Sequence, residues 1–305
     1  MKKFLLKVLL FFVLVVVMDF AWGSVFTWLR SHAKGGSTAN CEYIANRCED
    51  DIIIFGSSRA THHYVPQIIE DSLGMSCYNC GEEGNGIVLA YGRFKMLTNR
   101  YKPKLVIYEM TPEFDFGTQD PNTKYLGYLR PYYSKEGVKP IFNSFDDELS
   151  FLKMQSKMYQ NTGKLLPNLV DNVICRSNNM GYDSLFGTID IDNTKNPVKK
   201  GEGNMSVDSL KLSYVEKMII DAKKQNVPIV FMMSPKFGMD TRTVSFEPEI
   251  TLCERYDIPY YNFLNYEPIA DHPYYFQDRD HLNNDGAAAY TQMIVKAVLN
   301  KYIVR

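Results

Sequence analysis

Three short runs in this chain are apolar at every position: Ile52-Ile53-Ile54-Phe55, Leu105-Val106-Ile107-Tyr108 and Ile229-Val230-Phe231-Met232-Met233. A strand with one wet face alternates apolar and polar side chains, so a run without alternation has to bury both faces. A sheet covered by helices on either side meets that condition. A weaker run, Tyr260-Tyr261-Asn262-Phe263, follows Ile258-Pro259, just as Lys102-Pro103-Lys104 and Val227-Pro228 precede two of the stronger ones. Between the runs, apolar groups at 87, 90, 91, 94 and 97, and at 210, 214, 215, 218, 219 and 222, each mark one face of a helix. Residues 287–299 supply a last helix. Strands alternating with helices predict an α/β class chain with a mostly parallel sheet.

The balance of 34 Lys plus Arg against 35 Asp plus Glu leaves a formal charge of −1. Binding nucleic acid through phosphates needs a basic excess, so no nucleic-acid partner is expected. With 45% hydrophobic and 23% charged residues the chain can bury a large core, which excludes global disorder.

The first thirty residues stand apart from that core. Lys2, Lys3 and Lys7 precede an unbroken apolar run from Val8 to Met18, and apolar character resumes after Asp19 as far as Leu29. From Val8 to Leu29 is 22 residues, long enough to span a bilayer. Trp22 and Trp28 suit the interfacial belt, and the early lysines stay cytoplasmic under the positive-inside rule. Ala21-Trp22-Gly23 also offers the small residues that a signal peptidase reads. Residues 1–30 are therefore read as a membrane anchor, with a cleaved signal peptide as the alternative, and 31–50 as a linker. Both readings export the remainder to a periplasmic or other extracytoplasmic space, where disulfides persist. Cys41 and Cys48 are close enough in sequence for a local disulfide. Cys77-x-x-Cys80 reads as two small buried residues at a strand end rather than as a redox or metal pair, because no second Cys or Cys/His pair follows at ligand spacing.

Residues 115–205 break the strand and helix rhythm with Pro121, Pro131, Pro140, Pro167 and Pro197 among many Tyr, Asn and Lys. This stretch reads as an insertion into a domain spanning 51–305. It is expected to be helical over 145–159 and an exposed loop over 188–204.

Reactive groups in an open parallel sheet gather at the carboxyl ends of its strands. Gly56-Ser57-Ser58 occupies that place after the first run, with Gly56 permitting a tight turn. Taken alone, the two serines read first as caps of the next helix. A serine hydroxyl that attacks needs a base, and a histidine base needs a carboxylate on its other ring nitrogen. Asp278-x-x-His281, directly ahead of the terminal helix, supplies both within one loop. Asp280 and Glu109 are the alternative carboxylates.

With these motifs in place, the chain resembles the SGNH, or GDSL-like, hydrolase family over about residues 51 to 300. Ile54-Phe55-Gly56-Ser57-Ser58-Arg59 is similar to the family's first block and places Ser58 at the nucleophile. Asp278-x-x-His281, continuing as Leu282, Asn283 and Gly286, is similar to its last block. Asn79-x-x-x-x-Gly84 looks like the second block, whose glycine N–H joins that of Ser58 in the oxyanion hole. The resemblance implies a three-layer α/β/α, flavodoxin-like fold on a mostly parallel five-stranded sheet. It also implies a Ser58, His281, Asp278 triad without a metal or other cofactor.

Two departures stand out. Ser57 replaces the usual aspartate of the first block. No asparagine follows Tyr108-Glu109-Met110, where the family's third block would supply an oxyanion donor worth on the order of 100- to 1,000-fold in rate. Thr111, Arg59 or a backbone N–H are the candidates to replace it, and His62 is a candidate for the pocket rim. His62-His63 lacks a carboxylate at ligand spacing, so no metal is assigned. Tyr274-Tyr275-Phe276 suits either packing or stacking on sugar rings.

The expected activity is ester hydrolysis or O-acyl transfer on an acylated carbohydrate or other ester substrate of the cell envelope. Its alternative is an inactive domain that binds polysaccharide or scaffolds an envelope assembly. A membrane acyltransferase is a further candidate partner.

Overall fold

A computed structural model describes residues 1–118, 126–145, 150–162, 169–170, 179–191, 206–238 and 246–303. The loop expected over 188–204 lies outside these residues from position 192 onward. The chain divides into two compact units, residues 48–121 with 179–305 and residues 1–47 with 122–178.

The larger unit is built on five strands, β1 (Ile52–Phe55), β2 (Cys77–Asn79), β3 (Leu105–Glu109), β4 (Ile229–Met233) and β5 (Tyr260–Asn262). They are ordered β2-β1-β3-β4-β5 and every neighbouring pair is parallel. Ile52 is in register with Leu105 and Phe55 with Tyr108, so the two apolar runs lie side by side. Every residue of β1, β3 and β4 is buried. Ile52, Ile54, Ile107, Val230 and Met232 share one face and pack against Tyr64, Tyr290 and Ile294. On the other face Phe55 meets Phe94 edge-on with ring centroids 6.4 Å apart, and Tyr108 meets Phe231 at 5.1 Å. Burial on both faces is why these runs show no alternation.

The helices that matter for the site are α1 (Ser58–His63), α2 (Pro66–Leu73), α3 (Ile87–Thr98), α4 (Ser209–Lys224), α5 (Glu247–Arg255) and α6 (Asn284–Ile294). The terminal helix thus starts three residues before the expected 287, because the Asn283 side chain caps it by accepting the Gly286 N–H at 3.0 Å. A Cβ at Gly286 would sit 2.2 Å from the Tyr275 carbonyl oxygen, so this turn of the helix requires glycine. The strand order reverses between the parallel neighbours β1 and β3, since β1 leads on to β2 on one side and β3 to β4 on the other, and such a switch point opens a crevice at their carboxyl ends. Cys48, Cys77, Cys80 and Cys253 are buried thiols.

In the smaller unit the N-terminal helix Lys2–Ser31 is 30 residues, or about 45 Å, and is long and apolar enough to cross a membrane. Residues 31–50, read as a linker, contain the helix Gly36–Asn46. The helix expected over 145–159 is interrupted within its described residues, which form the separate helices Ser150–Lys153 and Lys157–Thr162. The break comes at Gln155-Ser156, where Asp19 of the long helix accepts the backbone N–H groups of Lys157 (2.9 Å) and Met158 (3.2 Å) and the Ser156 hydroxyl. A distant carboxylate thus caps a new helix start. Gly23 allows the two helices to touch, since a Cβ there would lie 2.6 Å from the Lys157 carbonyl carbon. Gly23→Leu is therefore expected to separate Lys157–Thr162 from the long helix at a cost of about 1–3 kcal/mol. Faster proteolysis within residues 139–162 is the measurement, and an unchanged cleavage rate contradicts it.

Candidate active site

The site begins at the end of β1, where the backbone must turn sharply. Gly56 has φ of +145°, and a Cβ there would lie 2.8 Å from the Glu109 carbonyl oxygen and 2.9 Å from Ala60 Cβ. Only glycine fits between β3 and α1 at this point. Ser57 precedes the helix, is fully buried, and makes no side-chain cap bond. Ser58 opens α1, and its Oγ lies 2.8 Å from His281 Nε2.

The Asp278-x-x-His281 loop folds upon its own carboxylate. Asp278 Oδ1 accepts the backbone N–H groups of Asp280 (2.8 Å) and His281 (2.9 Å), an Asx turn. The same carboxylate takes His281 Nδ1 at 2.9 and 3.0 Å. With Nδ1–H donating to Asp278, Nε2 is left as the acceptor facing Ser58, the tautomer a general base needs. Burial by itself would raise the Asp278 carboxyl. The hydrogen bond and charge of His281, with the two backbone donors, outweigh it and hold its pKa below the ordinary 3.8. Asp280 points elsewhere and pairs with Lys236 at 2.7 Å.

The loop after β2 lies against the start of α1. Cys80 N–H donates to the Ile54 carbonyl at 2.7 Å and Glu82 N–H to that of Gly56 at 3.2 Å, so the loop extends the sheet past β1. Asn79 braces it, donating to the Ala60 carbonyl at 2.7 Å and accepting from Gly81 N–H at 3.0 Å. Gly84 has φ of +61°, in the left-handed region. Its neighbour Glu83 reaches His62 Nε2 at 2.7 Å, while His62 Nδ1 faces the Asp183 carbonyl at 2.6 Å. Both ring nitrogens of His62 thus face acceptors, a setting that favours the imidazolium. Burial opposes the charge, but Glu83 and the Asp183 carbonyl outweigh it and raise the pKa above 6.5. Its hydrogen bond to His62 likewise lowers Glu83.

A group whose folded pKa is raised contributes stability that is complete below its unfolded value and is lost as pH rises through the folded value. The His62–Glu83 link is accordingly complete between the ordinary Glu and His values of 4.5 and 6.5, fades as pH rises through the raised His62 value, and is lost as pH falls through the lowered Glu83 value. Glu83→Gln is expected to move the His62 ring titration, followed by NMR, to lower pH; an unmoved midpoint contradicts the assignment.

Arg59 and Thr111 are placed differently from the serine and the histidine. Arg59 is buried, forms an ion pair with Glu109 at 2.7 Å, and donates to Ser234 Oγ at 3.0 Å. Thr111 Oγ1 is buried without a hydrogen-bond partner among the described residues, while its N–H donates to Asp115 Oδ2 at 2.7 Å. Glu109 lies beside Arg59, Tyr64 and Ser234 rather than beside His281. Among the described residues no three His, Cys, Asp or Glu side chains gather as a metal site. Tyr274 is half exposed and packs on Tyr275 with ring centroids 4.2 Å apart.

Sequence reasoning assigned no role to Glu83, Asp183 or Ser234 and took Glu109 only as a spare carboxylate. The available signals were an acidic residue closing an otherwise apolar β3 and a serine directly after β4, where reactive groups gather.

Solved structures similar to this chain include three described as ester-acting or lipolytic proteins. A protein assigned as lipolytic and of the G-D-S-L family from Desulfitobacterium hafniense is 8% identical, with 81% of this chain and 99% of that one covered at a TM-score of 0.40. An acetyl xylan esterase is 11% identical, with 81% and 100% covered at 0.40. A protein assigned as an acylhydrolase from Bacteroides fragilis is 12% identical, with 88% and 97% covered at 0.43. No family model and no curated protein matches the sequence.

Proposed function

We propose that this chain is a serine-dependent enzyme acting on ester bonds, with an acylated glycan as the substrate class. The observation that carries the reading is the 2.8 Å contact of Ser58 Oγ with His281 Nε2, with Asp278 on the opposite ring nitrogen. In this reading Ser58 Oγ attacks the ester carbonyl as His281 Nε2 takes its proton. The tetrahedral oxyanion is held by the N–H groups of Ser58 and Gly84. Its collapse breaks the C–O bond, and His281 returns the proton to the departing alcohol oxygen, leaving an acyl group on Ser58. Water then attacks to complete hydrolysis, or a sugar hydroxyl attacks to complete O-acyl transfer. Asp278 orients the imidazole and stabilises its charged form. Half-exposed Tyr274, in the segment leading into the triad loop, offers an apolar face on which a sugar ring can stack.

The proposal includes a retained N-terminal anchor. Cleavage after Gly23 would remove Asp19, which caps Lys157–Thr162, and would end the helix at its point of contact with Lys157. The intact helix is therefore read as part of the folded protein and as its tether to the membrane.

The test is incubation of the full-length protein with an acetylated oligosaccharide, with and without a deacetylated acceptor. Release of acetate supports hydrolysis, and labelled acceptor supports transfer. Neither product, with the protein folded, overturns the reading.

A further inference from the structure

Behind the triad lies a second chain of hydrogen bonds that ends on the backbone beside His281. Leu282 N–H donates to His63 Nε2 at 3.0 Å. That bond requires Nε2 to carry no proton, so the neutral ring carries it on Nδ1. His63 Nδ1 lies 2.7 Å from Ser234 Oγ, and the Ser234 hydroxyl in turn donates to Glu109 Oε1 at 2.6 Å. The directions are forced from end to end. Glu109 only accepts, so the Ser234 hydroxyl points at it. The lone pairs of Ser234 Oγ then take His63 Nδ1–H and Arg59 Nη2–H, the latter at 3.0 Å. Arg59, Tyr64 and the Ser234 N–H fix the Glu109 carboxylate itself. His63, Ser234 and Glu109 are each fully buried. Burial, then the nearby Arg59 charge, pushes His63 well below its ordinary pKa, in keeping with a ring that stays neutral.

We propose that Glu109, Ser234 and His63 form a positioning relay that fixes the peptide following His281 and so holds the imidazole against Ser58. None of the three touches the reacting atoms; they act through the Leu282 N–H. The argument rests on the esterase reading above and goes beyond it by assigning work to three residues outside the triad. The relay also joins four parts of the fold, the ends of β3 and β4, the end of α1, and the triad loop. An Asx turn alone anchors the loop only to itself, whereas the relay ties it to the sheet. A displacement near 1 Å in such an arrangement can cost on the order of 100-fold in rate.

The test compares Ser234→Ala and Ser234→Thr with wild type in the full-length protein, using p-nitrophenyl acetate turnover and the rate of fluorophosphonate labelling. Removing the hydroxyl frees His63 to place its proton on Nε2, where it opposes the Leu282 N–H. The expected result is a fall in kcat of about 10- to 100-fold with KM unchanged, an equal fall in labelling rate, and recovery with threonine. A wild type that never reacts removes the esterase reading and this one with it. A reactive wild type with Ser234→Ala within twofold of it, or a folded Ser234→Thr as slow as the alanine variant, overturns the relay alone. Should Ser234→Ala not fold, the ring of His63 is read in wild type by ¹⁵N NMR. The relay requires Nδ1–H with a bare Nε2 at neutral pH; the opposite tautomer or an imidazolium contradicts it.

Discussion

Ser58→Ala is expected to lower ester turnover by roughly 10⁴- to 10⁶-fold while leaving the thermal midpoint nearly unchanged. The size follows from what is removed. Ser58 Oγ is the atom facing the bare Nε2 of His281, and without it the imidazole has no hydroxyl to deprotonate. His281→Ala should cost about as much, and the double variant no more than either, because the two act as one unit. Asp278→Asn leaves a side chain of the same shape but turns the imidazole to the wrong tautomer, for roughly a 10⁴-fold loss. Stopped or steady-state turnover of p-nitrophenyl acetate measures all four. Losses that multiply, instead of coinciding, would mean that the groups act separately.

The second large effect is on stability. Glu109→Ala removes the acceptor shared by Arg59, Tyr64, the Ser234 N–H and the Ser234 hydroxyl, all of them buried. It leaves the Arg59 guanidinium buried without a counter-charge. Breaking such a pair from one side costs about 3–5 kcal/mol, a large share of the 5–15 kcal/mol that holds a typical domain. A fall in thermal midpoint on the order of 10 °C is expected. Replacing both partners, as Glu109→Leu with Arg59→Met, should recover much of the loss, because no buried charge is left uncompensated. A single Glu109→Ala variant as stable as wild type would show that the cluster is not a closed ion pair. Thermal stability separates this variant from Ser58→Ala, which should fold normally and fail only in turnover.

How much of this was legible in the sequence depends on how local the cause is. Runs such as Ile52–Phe55 and Ile229–Met233 declare themselves, because burial on both faces leaves no polar position inside them. The Asp278 to His281 loop is likewise local, since one carboxylate organises both its own turn and the ring three residues later. The break at Gln155-Ser156 is not local. Its cause is Asp19, in a different helix, and nothing in residues 145–159 signals that a partner will cap Lys157. The relay is hidden for the same reason. Glu109, Ser234 and His63 meet only because β1, β3 and β4 end side by side, and each looks ordinary in its own stretch of chain. Asn283 and Gly286 fall between these cases. The pattern was visible, but the reason for glycine is the Tyr275 carbonyl 2.2 Å from where a Cβ would stand.

The most direct test is to treat the full-length protein with a fluorophosphonate and locate the adduct by peptide mass spectrometry. The account predicts a single modification on Ser58, absent from His281→Ala and unaffected by Asp280→Asn. A folded, unmodified wild type, or an adduct on any other serine, would contradict it.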